Sequence, residues 1–204
     1  MYRYTTPAFL QLFDPVLTWK IKTGKEKKLY LTFDDGPHPT ITPWVLDELA
    51  RYHAKATFFC VGDNVRKFPE VYRQITEAGH LTGNHTYNHL NGWKSQTEAY
   101  LNNIAQCDEL VKSDLFRPPY GKLSPRQALL LKQKNYRLIM WSLLSRDFER
   151  HLNTEESLKA LIKGSAPGTI VVFHDSEKAE KNLKQLLPAY LAHFDSLGYQ
   201  FSAI

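Results

Sequence analysis

The sequence predicts a single α/β domain built on a parallel sheet, and three observations lead there. Short apolar runs alternate with longer amphipathic ones along the chain, the pattern of strands joined by helical crossovers. The length of 204 residues suits about one domain, and 43% hydrophobic with 13% aromatic residues can bury a sizeable core. The residues with chemical capacity fall just behind the apolar runs. That is the carboxyl edge of the strands, where α/β barrels and open sheets alike build their sites.

Taken in order, residues 28–33 form the first predicted strand. A helix follows over 43–52, with Pro43 suited to its first turn, where a missing N–H costs nothing. Residues 56–61 are the second strand and 69–78 a helix stopped by Gly79. Residues 80–84 make a short third strand, and Thr97 is placed to cap a helix reaching about Lys112. Residues 115–117 are the fourth strand, and Ser124-Pro125 opens a helix through Lys134. Residues 137–141 are the fifth strand, and Thr154 caps a helix to about Lys163. The unbroken apolar run 169–173 reads as a sixth strand buried on both faces. A helix over 178–194 and a strand over 199–204 end the chain. Seven such strands can close into a barrel or lie open as a doubly wound sheet, and periodicity does not choose.

Residues 1–27 stand apart from the domain at 28–204. Phe9, Leu12, Phe13, Val16 and Leu17 recur at helical spacing, although Pro15 interrupts them. A segment packed on the domain is expected, in preference to one lying in a membrane interface. The apolar stretch 8–13 is short, contains Gln11 and runs into Asp14-Pro15 without a cleavage site, unlike a secretion signal. A cytoplasmic location is therefore expected, with the cell envelope as the alternative. No stretch approaches the ~20 apolar residues of a transmembrane helix. Weak peripheral membrane contact stays open, and nucleic acid is not an expected partner.

The net charge is +5, with lysines at 25, 27 and 28 and again between 178 and 184, interleaved with glutamates. Mixed-sign runs of this kind read as solvated faces. Cys60 and Cys107 have no CxxC spacing, so free thiols are expected, as suits a reducing compartment.

The chemistry collects in a few short strings. In Thr32-Phe33-Asp34-Asp35-Gly36-Pro37, two adjacent carboxylates follow an apolar strand. Such a pair repels itself and loses hydration unless a cation or proton neutralises it. An exposed turn is the plain alternative. His85 and His89, four apart, would meet on one face of a helical turn and offer two nitrogens to one metal. With a carboxylate from another loop they make a His, His, Asp set that leaves a coordination position open, as catalytic zinc sites do. Two surface histidines are the plain alternative. In Arg117-Pro118-Pro119-Tyr120-Gly121, the prolines hold the chain extended and Gly121 permits close backbone approach. The Arg117 guanidinium can orient a carboxylate and lower its pKa, and the Tyr120 N–H can donate to an oxyanion. His174-Asp175 ends the sixth strand and Asp147 follows the fifth. A histidine there is either a satisfied core residue or an acid–base group. Trp44, Trp93 and Trp141 could offer sugar-stacking surfaces, with core packing as the default.

Assembled, these strings resemble the polysaccharide deacetylases of the NodB-homology type, carbohydrate esterase family 4. The resemblance runs from about Leu29 to Ile204 and rests on TFDDGP at 32–37, NHTYNH at 84–89 and RPPYG at 117–121. It implies a distorted seven-stranded β/α barrel. It also implies removal of acetyl groups from N-acetylated sugars of a chitin- or peptidoglycan-like glycan. Asp34 would be the general base, and Asp35, His85 and His89 would hold one divalent ion, zinc first, with cobalt, nickel or manganese accepting the same ligands. Arg117 would position Asp34, and Tyr120 would supply its N–H to the oxyanion. Asp147 would pair with His174, the general acid. Pro119, Tyr120, Phe148 and Val172 would contact substrate. Two departures bear on the groove: Leu144 and Phe148 stand where relatives commonly carry Asp and Trp, and Leu90 replaces a frequent proline. An O-acetyl esterase, a small-amide hydrolase and a catalytically silent carbohydrate-binding relative are the alternative readings.

Overall fold

The strand Lys28–Asp34 (β2) lies inside the sheet between the strands Thr57–Cys60 and Ile170–His174, and every residue after Lys28 in it is buried. The computed structural model describes residues 4–6 and 16–204. The other strands are Leu17–Thr18 (β1), Thr57–Cys60 (β3), Leu81–Asn84 (β4), Leu115–Phe116 (β5), Arg137–Ile139 (β6), Leu143–Leu144 (β7), Ile170–His174 (β8) and Gln200–Ser202 (β9). They run in the order β1-β6-β5-β4-β3-β2-β8-β7, all pairs parallel, and β9 pairs with the start of β2. The helices are Ile41–Arg51 (α1), Gly62–Lys67 (α2), Pro69–Glu77 (α3), Thr97–Asp108 (α4), Pro125–Gln133 (α5), Thr154–Gly164 (α6) and Glu180–Ser196 (α7).

The sheet curls into a distorted β/α half-barrel, the barrel-like form of the two that periodicity allowed, and stays open between its edge strands β1 and β7. That open side is its seam. The N-terminal segment crosses it: the Met140 N–H donates to the Thr18 carbonyl at 2.8 Å, and the Ile21 N–H to the Gly168 carbonyl at 2.9 Å. Residues 4–6 run beside β7, where the Leu144 N–H donates to the Tyr4 carbonyl at 2.8 Å. Phe9, Leu12 and Phe13, the start of the expected helical spacing, lie outside the described residues. Val16 and Leu17 pack on a core cluster around Tyr100 and Phe116.

Alternation along β2 separates structure from chemistry. Leu29, Leu31 and Phe33 belong to the main core, together with Leu183, Leu187, Tyr190 and Leu191 of α7. Phe33 stacks between Phe58 at 5.0 Å and Phe173 at 5.9 Å. Each such pair contributes about 0.5–1.5 kcal/mol beyond its area burial. Tyr30, Thr32 and Asp34 point to the opposite face, because successive side chains alternate across a strand. The register then sets Asp34 beside His174 of β8.

Several elements differ from the sequence expectations. The region before Pro69 holds a separate six-residue helix, α2, too short for periodicity to reveal. Thr97 and Thr154 are first helical residues rather than caps, and Asn153 caps α6 by accepting the Glu156 N–H at 3.2 Å. Ser124 does cap α5, with Gln127 completing a reciprocal capping box. The fifth predicted strand stops at Ile139, and β7 follows as a separate two-residue strand. Among the described residues, no helix is long and apolar enough to cross a membrane.

Candidate active site

Arg117 leaves the end of β5, its side chain is fully buried, and its guanidinium lies 4.1 Å from the Phe59 ring centroid. All its nitrogens are used. Nη1 donates to Asp34 Oδ1 and to Thr32 Oγ1, both at 2.7 Å; Nε donates to the Ile139 carbonyl and Nη2 to that of Met140. Burial lowers its pKa and Asp34 opposes that. A charge is tolerated inside the barrel because it is paired and each of its nitrogens has an acceptor.

The adjacent Asp35 turns elsewhere. Its backbone takes φ of 80°, and the Asn64 side-chain amide donates to its carbonyl at 2.8 Å. Oδ1 lies 3.1 Å from His89 Nε2 and 3.8 Å from His85 Nε2. Oδ2 lies 2.8 Å from Lys178 Nζ. Burial works to raise the Asp35 pKa, but the His89 hydrogen bond and the nearby imidazoles hold it well below the ordinary carboxylate range.

The two histidines reach the site from a loop, not from the helical turn expected of their spacing. Thr86 and His89 both have positive φ, 64° and 59°, which folds the segment back on itself. His85 is buried and its Nδ1 donates to the Arg117 carbonyl at 2.8 Å. His89 Nδ1 pairs with the Tyr120 hydroxyl at 3.1 Å. With both Nδ1 atoms engaged outward, both Nε2 atoms turn to Asp35, the arrangement that orients metal-binding imidazoles. Burial lowers the His85 pKa to about 4, so the ring is neutral, as a ligand must be. One ligand atom from each of Asp35, His85 and His89 lies within 4.8 Å of the others. The set fits a divalent ion, and its O, N, N donors suit zinc and its neighbours in the first transition row.

Across the cavity, Asp147 is fully buried and holds His174 twice. Oδ1 lies 2.7 Å from His174 Nδ1, and Oδ2 accepts the His174 N–H at 2.8 Å. Burial lowers the His174 pKa, but Asp147, with help from Asp35 and Asp34, raises it to about 9. Asp175 points away into the protein, where it accepts the Gly36 N–H at 3.1 Å and the Thr42 hydroxyl at 2.5 Å. Burial pushes its pKa up to about 8. A β-carbon at Gly36 would lie 2.1 Å from Asp175 Oδ2, so this turn requires glycine.

These groups line one cavity of about 330 Å³. Asp34, Asp35, His85, His89, Tyr120, Phe148, Val172 and His174 all face it, joined by Lys122, Trp141, Leu144 and Lys178. Arg117 and Asp147 support it from behind. Pro119 is buried and is not among the residues lining the cavity. Of the three tryptophans offered as stacking surfaces, Trp141 forms wall, Trp44 packs on the core and Trp93 is 64% exposed. Lys178 was hidden in a lysine–glutamate run that reads as solvated surface, and its position three residues past His174-Asp175 was the signal available. Lys184 of the same run does sit on the surface, paired with Glu180.

The polysaccharide deacetylase family model matches residues 21–139. The chain belongs to the polysaccharide deacetylase family. A peptidoglycan-N-acetylglucosamine deacetylase of Bacillus cereus is 34% identical over 195 residues, 92% of this chain and 91% of that one. A chitooligosaccharide deacetylase of Azorhizobium caulinodans is 32% identical over 160 residues, 75% and 76% of the two chains. Among solved structures, the Bc1960 peptidoglycan N-acetylglucosamine deacetylase, in complex with 4-naphthalen-1-yl-N-oxidanyl-benzamide, superposes with a TM-score of 0.86. It is 26% identical, and the superposition covers 97% of this chain and 94% of that one. In this polysaccharide deacetylase, Phe148 meets His174 edge-on at 5.0 Å and stands 6.0 Å from Lys178 Nζ.

Proposed function

We propose that this polysaccharide deacetylase is metal-dependent and hydrolyses the acetamide of N-acetylated sugars in a glycan, releasing acetate and a free amine. One observation carries the reading. The Asp35, His85 and His89 set lies between two candidate proton-transfer groups, Asp34 held by Arg117 and His174 held by Asp147, around a single cavity.

Asp35, His85 and His89 would hold a divalent ion, which would supply Lewis acidity to the acetamide carbonyl and acidify a water. Asp34, fixed by Arg117 and beside Asp35 in sequence, accepts the proton of the attacking water. The Tyr120 N–H donates to the oxyanion that forms on the former carbonyl. His174, charged through Asp147, gives its proton to the nitrogen as the C–N bond breaks. An amide needs that donor, because an amine leaves very poorly as its anion. Val172, Leu144, Phe148 and Trp141 form the apolar wall for the acetyl methyl and the sugar ring. All members of both pairs and of the donor set are present, which favours an enzyme over a silent carbohydrate-binding relative.

Acetate release from N-acetylated oligosaccharides and O-acetyl esters, with and without added zinc, tests the proposal. Zinc-dependent release from the N-acetylated members is expected. Release from esters alone would replace the reading with an esterase.

A further inference from the structure

We propose that Lys122 and Lys178 form a two-sided cationic rim that selects an N-acetylated glycan carrying a carboxylate beside the acetamide to be cleaved. This substrate class rests on the deacetylase reading above.

Both lysines line the catalytic cavity. Lys178 also lines a neighbouring cleft of about 490 Å³ with Asn64, Asn88, Ser176 and Glu177, and Asp35 and His89 are shared by the two depressions. A glycan laid through both would place one sugar at the ligand set and the next against Lys178. Asp63 and Glu177 also line the outer cleft and disfavour an anion there, which directs a carboxylate to the cavity side of Lys178.

Lys122 is held for the task. Its Nζ lies 3.8 Å from the Trp93 ring centroid, and the Trp93 indole N–H donates to the Leu123 carbonyl at 3.1 Å, fixing the ring. An aromatic face attracts an ammonium without neutralising it. Among the described residues, no carboxylate is paired with Lys122.

The charge balance of the cavity favours an anion. Asp34 is matched by Arg117 and Asp147 by His174. Asp35 directs Oδ1 to the two imidazoles and only Oδ2 to Lys178. A divalent ion held by Asp35, His85 and His89 would bring two positive charges against the single negative charge of Asp35, so the cavity would be net positive with Lys122 and Lys178 at its rim. The Lys178 side chain is 53% exposed although its partner Asp35 is only 12% exposed, so the solvent side of its ammonium, with donors to spare, can meet a ligand while the pair stays intact.

Exposed ammonium–carboxylate contacts of this kind are each worth about two- to fivefold in affinity, and they are screened by salt. The experiment compares two glycans of equal length. One is a neutral N-acetylated chitooligosaccharide; the other is a peptidoglycan-derived oligosaccharide whose lactyl ethers carry carboxylates. Acetate release is measured as kcat/KM for the parent, Lys122→Gln, Lys178→Gln and the double variant. Taking the ratio of the two glycans within each protein cancels any ion lost when Asp35 loses Lys178. Binding of both glycans to the zinc-loaded Asp34→Asn protein is measured by calorimetry in parallel.

The parent should prefer the carboxylated glycan, and each substitution should narrow that preference about two- to fivefold. Salt raised to about 0.5 M should narrow it in the parent but not in the double variant. A parent without the preference, or a preference that the double variant retains in full, overturns the rim. Absence of acetate from either glycan, with lysine-dependent binding of the carboxylated one, overturns the deacetylase reading and leaves the rim standing.

Discussion

Asp147 grips His174 at two points, the imidazole Nδ1 at 2.7 Å and the main-chain N–H at 2.8 Å, so one carboxylate fixes both the charge and the position of the ring. In the proposed mechanism the general acid must be protonated to act, so His174 should govern the alkaline limb of the rate profile. Its pKa is raised from 6.5 to about 9, burial opposing and Asp147 prevailing. Asp147→Asn removes the charge at nearly constant shape. The alkaline limb of kcat/KM should then move to lower pH, with activity near neutrality falling by about tenfold or more. An ion at Asp35 adds positive charge and lowers the limb in both proteins, which leaves the direction of the difference unchanged. A limb that stays in place would remove the pair from the acid role.

Loss of base and loss of ligand should be separable. Asp34→Asn spares Asp35, His85 and His89, so it should bind one zinc per chain by elemental analysis and show almost no turnover. His85→Ala should bind much less zinc, since it removes one of three donors. Full activity of the parent after thorough chelation would refute the metal dependence.

Arg117 should matter to stability as well as to rate. Replacing it with Met leaves Asp34 charged inside the barrel without its partner, a defect that typically costs about 3–5 kcal/mol. Urea unfolding measures this. Arg117→Lys should not rescue it, because one ammonium cannot reach Asp34, Thr32 and two carbonyls from a single point. If either variant unfolds at the parent's urea concentration, the buried pair is not structural.

Phe148 stands edge-on to His174 at the wall of the cavity. Phe148→Trp enlarges the wall and adds an indole donor, so the preference among oligosaccharide lengths should change more than the response to zinc. Unchanged relative rates across a length series would assign the residue to packing alone.

The sequence made the site legible where a group follows an unbroken apolar run. Asp34, Asp35 and His174 end strands whose burial is evident from composition, so their location at one edge could be read directly. His85 and His89 were legible by spacing, but not their loop, because the positive φ values at Thr86 and His89 leave no mark in residue type. Lys178 was missed since a mixed-sign run looks the same whether or not one lysine turns inward. The strands Leu17–Thr18 and Leu143–Leu144 are two residues each, shorter than any period that could betray them.

The interlock of Gly36 with Asp175 also bears on how the molecule comes into being. The hydrogen bond between them joins positions 139 residues apart, whereas Asp35, His85 and His89 all lie in the first half of the chain. During synthesis the half that carries Asp35, His85 and His89 emerges long before His174. The central strand meanwhile waits with one edge bare, since β8 is its neighbour. Parallel pairing over such a separation is slow, because closure entropy is spent before any contact repays it. Hydrogen exchange during refolding should accordingly show β2 gaining protection only when β8 does, so that the last catalytic group to be made is also the one that seals the sheet.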